Sequence, residues 1–314
     1  MYSLTITNWA LAALGVVFYV LVVVLFFLLV FFFVLVERKV LGVTQSRVGP
    51  QKVSFLGVLQ SLADFLKLGG KGWVLHESVF WTSYRSILFW GGVAFFVIAA
   101  VSLSLIFVVS STFYLDYNGI HICWVIVLSS ISGYGFILSG LGSESKYSLY
   151  GAMRAAFVGV SFEGSLMCIV ILVGLMYGGY NFHTVGAQLG SSLIPLFPIY
   201  LLSLACFLCE CNRSPFDYSE SESDLVSGFN TDFFGIGFAF LFASEYLIMV
   251  FFIWLVSYLF FCSYFLYFAF FLHSYIFIYV RSCFPRSRYD LFVSFLWKSV
   301  FIFYFFYILL GLVW

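Results

Sequence analysis

Uncharged apolar stretches dominate this sequence. Residues 1–36, 86–115, 164–209 and 246–280 contain no Asp, Glu, Lys or Arg. Each is far longer than a buried helix of a water-soluble domain needs, and about 20 apolar residues suffice to cross a bilayer. The pattern predicts eight spans, at about 9–36, 86–110, 119–140, 154–177, 192–211, 235–260, 263–281 and 291–313. Strict apolar/polar alternation, the mark of an outer-membrane barrel, is absent. The expected fold class is therefore all-α, a polytopic membrane protein of one domain. The apolar run from Trp9 to Val36 exceeds a signal-peptide core and lacks a basic leader, so it reads as a span.

One segment has a different period. In KVSFLGVLQSLADFLKL (52–68), Leu56, Leu59, Leu62 and Leu66 recur at three- and four-residue steps, with Gly57, Gln60, Ser61, Asp64 and Lys67 opposite. This predicts an amphipathic helix in the membrane interface. It reads either as a plain anchor or as the lip of a lateral opening.

The charges test the topology. All 14 Lys and Arg fall in or beside the odd-numbered connections: seven from Arg38 to Arg85, then Lys146 and Arg154, Arg213, and finally Arg281, Arg286, Arg288 and Lys298. The connections near 111–118, 178–191 and 262 have none. The positive-inside rule then puts the odd-numbered loops inside and both termini outside.

Composition sharpens this picture: 63% of the residues are hydrophobic, 23% aromatic and only 9% charged, against about 25% charged in a soluble domain. The seven Cys lie mostly in apolar runs. Cys206, Cys209 and Cys211 come closest to a metal pattern, but lack a second CxxC or a His partner. The four His are scattered, and there is no phosphate-binding glycine loop or nucleophile constellation. No metal site, resident cofactor or nucleic-acid partner is expected.

Against so little charge, the carboxylates stand out. Glu163, Glu210 and Glu245 fall inside predicted spans, Glu163 about nine residues from an inner end and so roughly 14 Å deep. An ionisable group near the bilayer centre costs about 2.5–3.5 kcal/mol on insertion scales, and its default reading is functional. Burial disfavours the anion, so such groups can hold a proton at neutral pH and form a relay. The alternative is that they pair with Arg154 or Arg213 to lock helices. Asp217, Glu220, Glu222 and Asp224 crowd one inner loop (212–232), opened by NRSPFD and closed by apolar LVSGF. That loop is expected to pack, with Arg38, Arg47, Arg213, Arg286 and Arg288 as candidate cationic partners.

Six segments, taken in order, resemble a known family: ERKVLGVTQSRVGP (37–50), LQSLADFLKL (59–68), GSESKYSLYGAMRA (142–155), ECNRSPFDYSESESDLVSGFN (210–230), ASEY (243–246) and FPRSRYD (284–290). The family is NADH dehydrogenase subunit 1, the quinone-receiving membrane subunits of respiratory complex I. The resemblance runs from about 36 to 298, and NRSPFD with LVSGFN is its most specific part. It implies eight spans and a tilted first helix. It also implies a chamber where ubiquinone is reduced by an iron–sulfur cluster of a neighbouring subunit, with FMN and the other clusters likewise in partner subunits.

By motif, Glu37, Arg38, Arg47 and Asp64 would line the quinone entrance, and Arg286 and Arg288 would border the chamber. Glu210, Arg213, Asp217, Glu220, Glu222 and Asp224 would form an acidic funnel, continued into the membrane by Glu163 and Glu245. Implied partners are the peripheral-arm quinone-site subunits, the antiporter-like membrane subunits and membrane lipids such as cardiolipin. The implied location is the mitochondrial inner membrane, with charged loops in the matrix and termini in the intermembrane space. The Phe excess (43 residues) fits a T-rich mitochondrial genome. Alternatives are the membrane subunit of an energy-converting hydrogenase and a proton-coupled transporter, although no inverted repeat is visible.

The sequence departs from the family where Phe162 replaces a usual Tyr before Glu163. Ser221 and Asp224 alter the usual Glu-Gly-Glu-Ser-Glu, Cys209 and Cys211 flank Glu210, and Glu144 stands for Asn. The stretch GGKGWVLHES (69–78) follows no family pattern. None of these removes a carboxylate from the path.

Overall fold

The computed structural model describes residues 2–71, 84–112, 120–143, 145–182, 185, 193–219, 225–261 and 265–313. Within them the chain is helical, with no strand. The helices are α1 (Tyr2–Thr44), α2 (Gln60–Lys71), α3 (Tyr84–Thr112), α4 (His121–Gly142), α5 (Lys146–Tyr177), α6 (Leu193–Glu210), α7 (Gly235–Phe260) and α8 (Leu266–Cys283). They are followed by α9 (Tyr289–Phe295), a π-turn (Leu296–Val300) and α10 (Phe301–Val313). Seven helical stretches among the described residues are long and apolar enough to cross a membrane, the last being the composite Tyr289–Leu312; the apolar part of α6, Phe197–Glu210, is shorter. Residues 69–71 of the patternless stretch GGKGWVLHES are described, as the end of α2, whereas 72–83, Glu144 and the acids Glu220, Glu222 and Asp224 lie outside the described residues.

The helix α7 is the axis of the bundle. Its one charged residue is Glu245, and its residues from Ala243 to Val256 are all buried, as expected of a helix with no polar face. The helices α1, α2, α3, α6 and α8 pack around it. Small residues set the closest crossing, that of α3 and α4: a methyl group on Gly92 would sit 2.5 Å from the Ser139 amide nitrogen. Without a hydrophobic force between helices in lipid, such backbone approach supplies the packing.

Three boundaries differ from the sequence pattern. The helix α1 does not stop where charge begins, but continues through Glu37, Arg38 and Lys39 to Thr44, because Glu37 and Arg38 find partners on other elements. The interfacial helix starts at Gln60, not 52. Ser54, Leu56 and Gly57 all adopt positive φ, and a side chain on Gly57 would strike Pro50, so the preceding segment is a turn closed by Leu59 N–H on Ser54 Oγ (3.2 Å). Leu59 and Leu66 are exposed, while Phe65 meets Phe31 of α1 and Phe240 of α7 (5.2 and 6.3 Å between centroids).

The helix α5 begins at Lys146 rather than 154. Ser145 caps it, accepting from Ser148 N–H (3.2 Å), and is tied to the end of the acidic loop: its N–H donates to Asp232 (3.1 Å) and its hydroxyl meets Thr231 (3.0 Å). Ser148 Oγ donates to the Phe229 carbonyl (3.2 Å), and a methyl on Gly151 would sit 2.5 Å from the Phe229 amide nitrogen. The GSESKYSLYG and LVSGFN segments are therefore two halves of one joint.

Candidate functional site

Glu37 sits 4% exposed on the last buried turns of α1. A carboxylate so placed needs donors on both oxygens, and it has them. The Tyr246 hydroxyl of α7 donates to Oε2 and the Arg281 guanidinium of α8 to Oε1. A second guanidinium, that of Arg213 from the loop after α6, stacks on the Tyr246 ring at 4.1 Å and reaches Phe242 at 5.8 Å. Glu37, Arg213 and Arg281 line one small cavity with Phe33, Leu208, Met249, Phe277 and Ile278. One anion and two cations of this cluster thus meet where α1, α7 and α8 converge. On the outer flank of α1, Arg38 pairs with Asp64 of α2 at 2.7 Å, and Gln60 donates to the same carboxylate (3.1 Å).

A second cluster lies on the other side of the α6 terminus. Glu163 and Glu210 line a cavity of about 10 Å³ together with Ser129, Ser132, Cys209 and Asn212, room for about one water molecule. Glu210 Oε2 is buried with no hydrogen-bond partner among the described residues. Glu163 forms no ion pair with a described residue, so the two carboxyls face one another rather than a cation. Glu245 is buried on α7, next to Tyr246.

The segment between these clusters explains their arrangement. Arg213 N–H still bonds back to Leu208 O (3.4 Å) and Asn212 N–H to Cys209 O (2.9 Å), closing α6. Asn212 has φ 46°, a left-handed conformation that Asn tolerates better than most residues. The reversal leaves Glu210 and Asn212 on the two-carboxyl cavity and sends Arg213, with Leu208, to the Glu37 cavity.

The loop then docks on the entry to α9. Asp217 pairs with Arg286 at 3.3 Å. Ser287 N–H and Oγ both donate to Pro215 O (3.0 and 3.1 Å), so the Tyr218 hydroxyl is the donor in its 2.5 Å contact with Ser287 Oγ. Burial against Phe292 and Tyr289 pushes the Tyr218 phenol up to about 12, with the Ser287 contact opposing.

Comparison with known proteins accounts for this arrangement of motifs. The model of the NADH dehydrogenase family matches residues 17–312. The chain belongs to the NADH dehydrogenase family. Similar family members include a Chondrus crispus protein named NADH-ubiquinone oxidoreductase chain 1, 35% identical over 283 residues (84% of this chain, 85% of that one). The protein of that name from Metridium senile is 36% identical over 282 residues (84% and 82%). The Arabidopsis thaliana protein, again of that name, is 35% identical over 284 residues (84% and 86%).

Not every predicted residue joins the clusters of this family member. Arg47 is exposed, and its guanidinium donates to its neighbour Gln45 (2.8 Å). Arg288 pairs locally with Asp290 (3.0 Å) on the surface. The predicted acids Glu220, Glu222 and Asp224 lie outside the described residues. Sequence reasoning missed Tyr246 and Arg281 as partners of Glu37. Tyr246 ends the ASEY motif, and Arg281 reads in the sequence only as an inner-side cation. Among the described residues no three His, Cys, Asp or Glu converge on a metal-sized site.

Proposed function

We propose that this chain is the quinone-site membrane subunit of a proton-translocating NADH:ubiquinone oxidoreductase, acting with other subunits of that complex. It forms the membrane side of the chamber, with ubiquinone as substrate and FMN and iron–sulfur clusters held by partners. Glu37, Arg38 and Asp64 frame the entrance, with Arg47 beside it. Arg286, with Arg288 nearby, borders the chamber on the inner side. Arg213, Asp217, Glu220, Glu222 and Asp224 lead charge toward Glu210, Glu163 and Glu245.

The observation that carries this reading is the pair of clusters back to back on one helix terminus: a cation-rich one at the converging ends of α1, α7 and α8, and one inside the bundle with two carboxyls and no cation. Quinone reduction takes up protons in a place of low dielectric. Unit charges 4 Å apart interact by about 4 kcal/mol at an effective dielectric of 20, enough to change whether a neighbouring carboxyl is protonated. Ionisable side chains respond to such a charge; Ser or Gln in their place would not. The orientation follows the charges, with the basic and acidic loops in the matrix, the termini in the intermembrane space and the chain in the mitochondrial inner membrane among lipids such as cardiolipin.

The test is Glu163→Gln and Asp217→Asn in the assembled enzyme. Both lower NADH:quinone activity coupled to pumping while NADH oxidation by an artificial acceptor persists. Full coupled activity in either variant refutes the relay role of that residue. Isolation of the chain as an active lone carrier, or as part of a quinone-independent hydrogenase, refutes the reading as a whole.

A further inference from the structure

A third cavity, of about 300 Å³, lies between α1, α3, α7 and α8 and has no part in the function proposed above. It neighbours the Glu37 cavity along shared helices: on α1 Leu29 precedes Phe33 by one turn, and on α8 Phe270 precedes Phe277 by about two. The helices α1 and α8 thus close on one another at Glu37 and Arg281 and leave room between them farther along. The floor on α7, Val250 and Phe251, is buried, whereas Leu29 on α1 and Tyr267 and Phe271 on α8 are exposed. The opening is therefore sideways, between α1 and α8. No charged side chain lines the cavity, and the Ser104 hydroxyl within it already donates to the Val101 carbonyl (2.7 Å). Apolar walls of this kind do not hold water, and a space without partner atoms forfeits the dispersion contacts of its lining.

We propose that this cavity holds one acyl chain of a zwitterionic phospholipid, which enters between α1 and α8 from the end of the bundle opposite Glu37. Three observations select that occupant. The first is size: one turn of helix, 5.4 Å tall and about 10 Å across, fills roughly 400 Å³, so a helix of a neighbouring subunit does not fit and a single extended chain does. The second is depth. The lining residues lie within the spans, and Tyr267 stands in the first turn of α8, where a tyrosine marks the headgroup level. The third is charge. Anionic headgroups are held by clustered Lys and Arg, and the connections at this end, 113–120 and 261–265, contain neither. A chain that leaves one hydrocarbon for another gains no hydrophobic free energy. Its retention depends on how well it fills the space, which makes the site sensitive to shape. So placed, the chain wedges α1 and α8 apart at one end while Glu37 and Arg281 hold them together at the other. This occupant is independent of the reaction proposed above.

The experiment uses the intact complex in vesicles doped with phosphatidylcholine that carries a diazirine midway along one acyl chain. After irradiation, the label is mapped by mass spectrometry of peptides. The α7 stretch from Leu247 to Trp254 is the informative one, because it is buried in the bundle and a lipid chain reaches it only through the cavity. Label is expected there, at least as strong as that from phosphatidylglycerol with the same chain. Leu29→Trp, which fills the cavity from α1, should lower it about tenfold, the consequence of overpacking the space. No label on this stretch in the assembled wild type overturns the proposal, as it would if a side chain of a partner subunit filled the space. Severalfold stronger label from phosphatidylglycerol overturns it too, and so does severalfold stronger label from a ubiquinone with the diazirine on its tail. If Leu29→Trp does not assemble, the wild-type comparison of the three probes decides alone.

Discussion

Replacing Glu37 by Gln removes one charge and one acceptor from the cluster at the ends of α1, α7 and α8. The carboxylate accepts from Tyr246 on one oxygen and from Arg281 on the other. An amide offers a single oxygen, and its NH₂ then faces a second donor. One of the two donors is orphaned. A hydrogen bond to a charged group is worth about 1.5–3 kcal/mol, and a buried unsatisfied donor costs about 1–3 kcal/mol. Arg281 has a side chain 36% exposed against 5% for Glu37, so water takes over part of its loss and the net cost falls to about 2 kcal/mol. That is roughly a thirtyfold rise in the local opening of these helix ends. The control is Arg38→Gln: its pair with Asp64 is 44% and 37% exposed, and a pair so solvated is worth about 0–1 kcal/mol. Hydrogen exchange of the intact complex, read on peptides covering 30–44 and 274–283, checks this. Exchange should rise about thirtyfold in Glu37→Gln and less than about fivefold in Arg38→Gln. Equal responses would refute the claim that burial and two-sided donation, rather than charge alone, set the strength of this joint.

Gly151→Ala places a methyl 2.5 Å from the Phe229 amide nitrogen, and overpacking of this kind costs about 1–3 kcal/mol; the yield and melting temperature of assembled complex should fall, more than for Ser148→Ala, which removes one hydrogen bond worth about 1 kcal/mol. The buried Tyr218 phenol, raised to about 12 from an unfolded value near 10, favours the folded state as the neutral form. Its contribution is therefore fully present below about pH 10 and is lost as pH rises toward 12, so protease protection of residues 211–219 should be flat from neutral pH to about pH 9. Tyr218→Phe should lower that protection at neutral pH and abolish its alkaline loss. Asn212→Gly should leave the KM for quinone unchanged, whereas Asn212→Ala, less at ease at φ 46° by about 1 kcal/mol, should raise it severalfold; equal KM values would show that the turn does not position Arg213.

The all-α membrane fold was legible because long uncharged runs admit one solution in lipid, the helix. The positions of Glu163, Glu210 and Glu245 were legible as anomalies of cost, and the first two do share a cavity. What the one-dimensional pattern hid were contacts between residues far apart in sequence. Tyr246 and Arg281 sit 209 and 244 residues from Glu37, and nothing local distinguishes a tyrosine that donates to a carboxylate from one that packs. The end of α1 was misplaced for the same reason: a Glu-Arg-Lys run ends a span when its charges go to water, and extends the helix when protein supplies their partners. The leucine stripe of α2 was legible as an apolar face, but hydrophobic periodicity does not say whether lipid or protein covers it, and the contacts of Phe65 with Phe31 and Phe240 had no local signal.

The two clusters differ in what they can do with a charge. Around Glu37 the guanidinium of Arg281 and the Tyr246 hydroxyl each donate to one carboxylate oxygen, with Arg213 stacked on the Tyr246 ring; that carboxylate is compensated from both sides. Around Glu163 and Glu210 no cation lines the cavity, one oxygen is left without a partner among the described residues, and there is room for about one water; no fixed charge there compensates either carboxyl. Under the function proposed above, a compensated charge beside an uncompensated carboxyl pair is the arrangement through which a field on the first side would change proton occupancy on the second. The link between them is short, from Leu208 to Arg213, and its backbone is closed by hydrogen bonds on both sides of Asn212. Under that reading a ligand held by Arg213 would act on the same turn that carries Glu210, so charge and geometry would reach the carboxyl pair together.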